Sequence, residues 1–396
     1  MPKLIVHQDK IKNIENLIKT CPFGAMDING GKLEINSACK MCKLCVKKGD
    51  PGAVEYIEEK GVSVDKSKWN DICVYVDHVN GDIHPVTYEL IGKAKELAGK
   101  IHQKVCCLFM GEDIAGKAED LLYYGIDKVY LYESHRLKHF SIEPYTAVFE
   151  DFIKREKPCA ILVGATTVGR QLAPRVAARF KTGLTADCTI LDITEDTDLV
   201  QIRPAFGGNI MAQICTPRNR PQMATVRYKV MNPPKKNSSK SGTIVSCHIE
   251  DSKLESGIDV MNVYEKEKVK TIENAEVLVV AGRGVKSKDD LGMIQKLADL
   301  LGGEIACTRP LVECGWMDAK KQIGLSGRTV RPKLIITCGV SGSVQFASGM
   351  NNSEHIFAIN NNPEAPIFKV ASYGIVGDIY EVVPQLIEKI QKGREA

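Results

Sequence analysis

The sequence predicts an α/β protein built from more than one domain. Patterns of buried strands and amphipathic helices alternate over 71–164 and again from 275 onward. Because strands that alternate with helices join into parallel sheets with helical crossovers, each stretch predicts a parallel sheet. Four of the fourteen cysteines fall within 21–45, ahead of both stretches. We therefore expect a small cysteine-rich domain followed by two larger α/β domains, which suits a chain of 396 residues.

The composition predicts a globular protein of the cytoplasm, with 44% hydrophobic and 26% charged residues. No apolar run reaches the roughly 18 residues that cross a bilayer, and the first residues lack the apolar core of a secretory signal. A formal net charge of +4 without an aromatic and basic stripe gives no reason to expect nucleic-acid binding. In a reducing compartment, clustered cysteines more often hold metal than form disulfides.

The first domain is predicted over 1–66. Its strands are expected at 3–6, 26–28, 33–35 and 54–57, with a helix near 10–19. Three cysteines share one run, Cys39-x2-Cys42-x2-Cys45, and Cys21 is followed by proline. Bacterial ferredoxins use such a run, together with a cysteine before proline that ligates the other cluster. The segment therefore resembles a two-cluster ferredoxin that has lost one cluster, and it predicts a ferredoxin-like α+β domain.

In two-cluster ferredoxins each cluster takes three ligands from one half of the segment and the fourth ligand from the other half. This pattern predicts which of the two clusters is kept. In the first half, three ligand positions carry the apolar residues Ile11, Ile14 and Leu17, and in the second half Gly49 stands at the fourth position. These four positions would all serve one cluster. We predict one [4Fe–4S] cluster held by the four cysteines that remain, which are Cys21, Cys39, Cys42 and Cys45. A structural zinc site is the alternative, since four thiolates also suit zinc.

The second domain is predicted over 67–255, as a Rossmann-like α/β base domain that pairs with another subunit. Its strands are expected at 71–76, 103–109, 127–132, 159–164 and 243–249, and its helices at 86–100, 114–124 and 143–155. The region 184–230 is richer in strands, and the polar, breaker-rich stretch 232–242 is typical of a solvated loop. A charged stretch without a periodic apolar face follows, and we predict a linker and hinge at 256–274.

The third domain is predicted over 275–396, as an open parallel sheet. Strands are expected at 277–281, 334–338, 356–359 and 367–370, and helices at 289–301 and 379–391. The first strand runs into Gly282-Arg283-Gly284, and the second runs into Gly339-Val340-Ser341-Gly342-Ser343. Small residues in such turns let backbone amides approach a pyrophosphate at a helix N-terminus. Two turns of this kind in one sheet favour a dinucleotide site.

Seven ordered blocks of this domain resemble the FAD-binding domain of electron-transferring flavoprotein alpha subunits. The blocks are 279–284, 308–310, 323–327, 339–345, Met350, 359–368 and 373–378. The resemblance extends more loosely over 70–250, through runs such as Gly164-Ala165-Thr166-Thr167. The cluster domain is an addition that most members lack. It is similar to the N-terminal extension of the alpha subunit in electron-bifurcating caffeyl-CoA reductase complexes.

The resemblance implies an FAD site with roles for individual residues. Arg309 would lie against the isoalloxazine, where a guanidinium stabilises the reduced anionic ring. Ser326 would hydrogen-bond the flavin N5, and Gln345 would face the pyrimidine end of the ring. The other cofactor-binding positions that it implies are Arg283, Gly284, Thr308, Leu325, Gly339, Ser341, Gly342, Ser343, Asn360 and Asp378. For Asn360 and Asp378, roles in a turn and in a helix N-cap are the alternatives.

Two positions depart from the family in ways that bear on the flavin. Phe346 stands where members commonly carry histidine, and Leu325 replaces a common glutamine. A histidine can donate a hydrogen bond to the ring, whereas phenylalanine cannot. The reduction potentials of other members therefore do not carry over to this chain.

No catalytic residues are predicted, because no nucleophile triad or hydrolase metal motif stands out. The resemblance instead implies an electron-transfer subunit of an oxidoreductase complex, in a heterodimer with a beta subunit. FAD would pass electrons to an acyl-CoA dehydrogenase-like reductase, for which caffeyl-CoA reductase is the predicted partner. In electron bifurcation NADH is the donor and ferredoxin takes part, with the extra cluster as a relay. A non-bifurcating carrier and a non-redox nucleotide-binding module are the alternatives.

Overall fold

The computed structural model describes residues 3–57, 64–205, 210–264 and 271–395. The chain divides into two compact units, of which the first ends at Val64 and the second begins at Asp65. Over these described ranges, no helix is both long enough and apolar enough to cross a membrane.

The first unit contains, in its described residues, two antiparallel strand pairs and two short helices. In chain order its elements are β1 (Lys3–Val6), α1 (Ile14–Lys19), β2 (Met26–Asn29), β3 (Lys32–Ile35), α2 (Leu44–Lys48) and β4 (Val54–Ile57). Strand β1 pairs with β4, and β2 pairs with β3. All four strands lie where the sequence predicts them. The first helix begins only at Ile14, because the Asn13 side chain caps it by accepting a hydrogen bond from the Asn16 amide.

The apolar residues at the predicted lost ligand positions lie in the core of this unit. Leu17 is 2% exposed, and Ile11 and Ile14 pack against the same cluster of side chains. A Cβ atom built on Gly49 would clash with Leu17 Cδ1 and with the carbonyl oxygen of Cys45. Leu17 and Gly49 come from different halves of the segment and are direct neighbours, while the lost cluster itself stays a prediction.

The second unit opens with a parallel sheet of seven strands in its described residues. Along the chain the elements are β5 (Asn70–Tyr75), β6 (His78–Val79), β7 (Asp82–Ile83), α3 (Pro85–Ile101), β8 (Val105–Gly111), α4 (Ala115–Leu121), β9 (Lys128–Glu133), α5 (Ile142–Glu156), β10 (Pro158–Gly164), α6 (Thr167–Phe180), β11 (Leu184–Cys188), β12 (Ile190–Ile193), β13 (Leu199–Ala205), β14 (Ile210–Ile214), β15 (Gln222–Val226) and β16 (Thr243–Cys247). The strand order is β11-β15-β10-β5-β8-β9-β16, and each neighbouring pair is parallel. The predicted strands and helices are present, with bounds that differ by a few residues.

Helices cover both faces of this sheet, which explains why its central strands are apolar throughout. On β5, Ile72 points into the same core as Leu90 of α3, whereas Tyr75 points into the opposite core with Phe149 of α5. Alternate residues of a strand face opposite sides of its sheet, so a strand buried on both sides needs no polar positions. Strands β12, β13 and β14 form a separate antiparallel sheet.

The C-terminal part of this unit holds a second parallel sheet, of five strands in its described residues. Its elements are β17 (Val277–Ala281), α7 (Leu291–Leu300), β18 (Glu304–Cys307), α8 (Arg309–Glu313), β19 (Leu334–Cys338), α9 (Val344–Ala347), β20 (His355–Asn360), β21 (Tyr373–Val376) and α10 (Ile379–Glu395). The strand order is β18-β17-β19-β20-β21. The chain leaves β17 toward one edge and then returns to build the other edge. The order therefore reverses between β17 and β19, and ligands of open α/β sheets bind at such a switch point.

One predicted strand of this sheet is wrong. The apolar stretch 367–370 is not a strand, because Pro366–Lys369 forms a 3₁₀ turn, and the edge strand is Tyr373–Val376 instead. Proline favours the first position of a helical turn. Ile367 then anchors the turn, since its side chain is fully buried and its amide donates to the Ser341 carbonyl oxygen at 3.1 Å.

The predicted hinge is described only in part. Within it Met261 and Tyr264 are 84% and 82% exposed, and 265–270 lie outside the described residues. The regions on either side of the hinge touch, for example where Arg331 donates to the Asn232 side-chain oxygen at 2.6 Å. The predicted domain boundaries at 66, 255 and 274 and the hinge itself stay predictions.

Candidate functional site

A cavity of about 610 Å³ lies at the switch point of the second sheet. Its wall is formed by the turn after β17, the start of α8, the segment 322–326 and the turn after β19. The predicted FAD-binding residues that line it are Arg283, Thr308, Arg309, Leu325, Ser326, Ser341, Ser343 and Gln345. Residues from four separate stretches of sequence thus face one space, and their contacts with FAD stay predictions.

The predicted glycines hold the two turns together beneath this cavity. Gly284 donates its amide to the Gly339 carbonyl oxygen at 3.0 Å, and a Cβ on Gly284 would lie 2.8 Å from Gly339 Cα. Gly339 and Gly342 have φ angles of 65° and 80°, which disfavour any other residue. A side chain at Gly284 or Gly339 would push the turns apart, so these glycines shape the cavity without lining it.

Ser326 belongs to a hydrogen-bonded pair in the cavity wall. Its hydroxyl accepts a hydrogen bond from Gln322 Nε2 at 2.8 Å. The segment is also fixed at Leu325, whose amide donates to the Gln345 carbonyl oxygen at 2.9 Å. Gln322 was not predicted as a site residue, because its contact with Ser326 is visible only in the folded structure. With Gln322 donating to its oxygen, the Ser326 hydroxyl can still donate its own proton into the cavity.

Arg309 forms an ion pair at the mouth of the cavity. Its Nε lies 2.8 Å from a carboxylate oxygen of Glu313, one helical turn away. The two side chains are 66% and 59% exposed. Exposed pairs of this kind are weak, so a flavin ring can compete with Glu313 for the guanidinium.

Asn360 and Asp378 lie outside the cavity lining and have local roles. The Asn360 amide donates to the Val340 carbonyl oxygen at 2.8 Å, and its side-chain oxygen accepts from the Asn362 amide at 2.9 Å. The Asp378 carboxylate accepts from the Tyr380 amide at 3.0 Å, at the start of α10. These contacts match the turn and N-cap alternatives, while contact with FAD stays a prediction for both.

The four predicted cluster cysteines line one narrow pocket in the first unit. The Cys21 sulfur accepts the Ala25 amide, and the Cys39 sulfur accepts the Met41 amide, both at 3.4 Å. Met41 and Lys43 have φ angles of 52° and 63°, so the loop reverses direction between its cysteines. The run thus folds back on itself and brings its thiols to a shared space.

The cysteine pocket offers four thiols, which are suitable ligands for a metal group, but its volume is too small for a cluster. No group of three or more histidine, cysteine or carboxylate side chains is arranged to hold a metal ion, among the residues that the structure describes. The pocket measures about 10 Å³, so its lining would have to move to admit a cluster. Burial raises the pKa of Cys45, with smaller contributions from Cys39 and Cys42. Bound cations would remove this mutual repulsion of thiolates.

Comparison with known proteins identifies the family. Residues 72–252 match the electron transfer flavoprotein domain, and residues 271–351 match the electron transfer flavoprotein FAD-binding domain. The electron transfer flavoprotein subunit alpha of Thermoanaerobacterium thermosaccharolyticum is 42% identical over 82% of this chain and 98% of its own length. This chain belongs to the electron transfer flavoprotein alpha-subunit family. It carries the FAD-binding domain of that family and serves electron transfer.

Two further relatives of this flavoprotein subunit have names that mention a reaction. The lactate dehydrogenase (NAD(+),ferredoxin) subunit LctC of Acetobacterium woodii is 56% identical over 98% of this chain and 93% of its own length. The acryloyl-CoA reductase electron transfer subunit beta of Anaerotignum propionicum is 38% identical over 84% of this chain and 99% of its own length. A match over 98% of the chain must include most of the first unit.

Thr308 provides a test of whether the cavity of this flavoprotein subunit fits FAD. The residue is 8% exposed and precedes α8, yet its hydroxyl does not cap that helix. The hydroxyl oxygen is buried and has no hydrogen-bond partner among the described residues. Buried polar atoms are almost always paired, so an unpaired hydroxyl in a residue of the cavity wall is a group that a polar ligand can satisfy. A cofactor with many polar atoms, such as FAD, meets that need.

Arg227 supports the cavity wall from the neighbouring sheet. Its Nη2 donates to the Leu325 carbonyl oxygen at 2.7 Å, and its guanidinium lies 3.5 Å from Asp187. Burial lowers the pKa of Arg227 even though Asp187 opposes that effect. Sequence reasoning missed this residue, because its partner lies 98 positions further along the chain.

Proposed function

We infer that this chain is the alpha subunit of an electron-bifurcating flavoprotein, paired with a beta subunit and with a dehydrogenase or reductase. The observation that carries FAD binding is the switch-point cavity with its unpaired Thr308 hydroxyl, and bifurcation is supported by the relative whose name combines NAD(+) with ferredoxin. When bound, FAD supplies a carrier that takes up and releases electrons. The named cavity residues bind and orient it.

The cavity residues divide the work by their chemistry. Thr308 would donate its buried hydroxyl to an acceptor of the cofactor, and the small residues in the turns after β17 and β19 would let its phosphates approach the backbone. Ser326, fixed by Gln322, presents a hydroxyl that can donate or accept a proton. Arg309 holds a permanent positive charge at the cavity mouth, which favours a more negative flavin.

The first unit carries, in this proposal, one [4Fe–4S] cluster on its four clustered cysteines. Its support is the shared pocket, the amide hydrogen bonds to two sulfurs and the contact between Leu17 and the Gly49 position. Hydrogen bonds to sulfur and solvent exposure both adjust the potential of such clusters. The cluster would serve as a relay for electrons that enter or leave the complex.

Iron analysis tests the cluster. Anaerobically purified protein should contain about four iron and four sulfide per chain. Cys42→Ala should lose the iron and keep FAD, whereas the control Cys215→Ala, at an exposed cysteine of the second unit, should keep both. Zinc in place of iron, or about eight iron, would refute the single-cluster assignment.

Two partner classes remain for the dehydrogenase or reductase. The sequence predicted an acyl-CoA dehydrogenase-like partner, with caffeyl-CoA reductase as the specific choice, and the acryloyl-CoA reductase relative supports that class. The Acetobacterium relative favours a lactate dehydrogenase partner instead, because that match is more identical and extends through the first unit. The name of the Acetobacterium relative also mentions ferredoxin, which supports ferredoxin as a member of the complex.

Reconstitution separates the two classes. The chain and its beta subunit are mixed with either an enoyl-CoA reductase or a lactate-oxidising flavoprotein, and ferredoxin and nicotinamide are followed by absorbance. Bifurcation predicts that nicotinamide turnover depends on ferredoxin with one partner only. Turnover with the partner and no dependence on ferredoxin would favour a conventional carrier. A purified chain without flavin absorbance would favour a non-redox nucleotide-binding module.

A further inference from the structure

Four lysines lie in the loop and short helix that carry the three clustered cysteines. The stretch 36–49 contains Lys40, Lys43, Lys47 and Lys48 and no aspartate or glutamate. Lys40 and Lys43 line the pocket itself, and no carboxylate lines it. We call these four residues the lysine face. Its first two members lie in the pocket lining with Cys42, which is exposed.

Carboxylates among the described residues of the first unit do not form ion pairs with these lysines. Within the described residues, no ion pair involves a residue of the lysine face, and the Lys43 amine lies 3.6 Å from the centre of the Tyr56 ring. Two carboxylates of the same unit have other partners. Asp50 accepts backbone amides before α1, and Glu55 pairs with His7. Lysines that stay unpaired keep their charge available to a partner.

A small apolar patch lies on the same rim of the pocket. Phe23 and Met41 are 46% and 39% exposed, and Cys42 beside them is exposed. Phe23 and Cys42 also line the pocket. Weak, short-lived complexes of electron carriers bury small interfaces, in which apolar contact at the centre and opposite charges around it suffice.

We propose that the lysine face docks a small acidic electron-carrier protein. This proposal rests on the proposed function, because the cysteine pocket must hold a redox centre for docking to serve electron transfer. Lys40 and Lys43 in the pocket lining, together with Lys47 and Lys48 in α2, complement an acidic carrier and steer its approach toward the exposed Cys42. Nucleic acid fits less well, since the face has lysines without the arginines that grip phosphate in two places.

Charge reversal tests the docking surface in the full chain. Binding of a purified acidic two-cluster ferredoxin is measured by calorimetry, anaerobically, with Lys40→Glu/Lys47→Glu and with the matched control Lys12→Glu/Lys32→Glu. Both variants change the net charge equally, and the control residues are exposed outside the pocket lining. We expect about tenfold weaker binding for the first variant only, at low ionic strength, with the difference lost in roughly 0.5 M salt.

Each outcome has a defined meaning. Equal weakening in both variants would show a net-charge effect and overturn the docking surface. Binding of duplex DNA or of phosphatidylserine vesicles at the lysine face, with no ferredoxin binding, would also overturn it. Iron is measured in the same samples. If iron is absent while ferredoxin binding still distinguishes the variants, the cluster assignment fails and the docking surface stands.

Discussion

Thr308→Val replaces the unpaired hydroxyl of the cavity wall by a methyl group of almost the same shape. In the protein alone, the Thr308 oxygen is buried without a partner among the described residues. Leaving such a group unpaired costs about 1–3 kcal/mol. If FAD accepts a hydrogen bond from this hydroxyl, the cost is relieved only in the complex.

The free-energy cost of the unpaired hydroxyl should therefore appear in two measurements, as higher stability of the protein without FAD and as weaker FAD binding. Valine removes the penalty from the protein without FAD, so its free energy of unfolding should rise by about 1–3 kcal/mol. Valine also removes the hydrogen bond to the cofactor, so the FAD dissociation constant should increase by about 5- to 150-fold, since 1.4 kcal/mol is a factor of ten. Few substitutions at a binding site are expected to stabilise the empty protein while weakening its ligand.

Two measurements on one variant check this reasoning. Urea unfolding of the deflavinated protein gives the first quantity, and a fluorescence titration with FAD gives the second. Thr337→Val is the control, because Thr337 is fully buried in β19 and does not line the cavity. Unchanged FAD affinity in Thr308→Val would refute a contact between this hydroxyl and the cofactor.

Two further predictions concern charge. Arg309→Ala should lower the FAD reduction potential by about 10–40 mV, a small change because the Arg309 side chain is exposed and paired with Glu313. Glu313→Gln should raise the potential, because it frees the guanidinium. Spectroelectrochemical titration measures both potentials, and shifts in the same direction would refute the pairing. Burial raises the pKa of Glu89 to about 7 from 4.5, so the folded state prefers the protonated carboxyl and loses up to about 3 kcal/mol as pH rises between those values. Glu89→Gln should remove that slope in urea unfolding at about pH 5 and pH 8, and an unchanged slope would contradict the assignment.

Local patterns carried most of what could be predicted. The cysteine run and the glycine turns are contiguous, and their chemistry depends on spacing that the sequence displays. The turns after β17 and β19 were therefore placed correctly before their packing was visible. The 3₁₀ turn at Pro366 was missed, since a short apolar stretch has no period long enough to separate a strand from a buried turn.

Contacts between segments that are distant along the chain could not be predicted from the sequence. Arg227 holds the Leu325 carbonyl only because two sheets pack together, and no local feature of either residue indicates that contact. The sequence likewise cannot show that the Thr308 hydroxyl lacks a hydrogen-bond partner, because that depends on how the residue is buried in the fold. Resemblance to the family could name Thr308 as a site residue, but only the structure shows why the position needs a ligand.

The packing of Leu17 against Gly49 makes these two positions epistatic. Cysteine at position 49 alone would drive its Cβ into Leu17 and the Cys45 carbonyl oxygen, so this first step toward a second ligand set already destabilises the fold. Shortening Leu17 first leaves a cavity in a small core, which typically costs about 2–5 kcal/mol. Either order of single changes passes through a less stable protein before any metal can bind. Packing alone therefore disfavours the introduction of cysteine at these two positions one at a time.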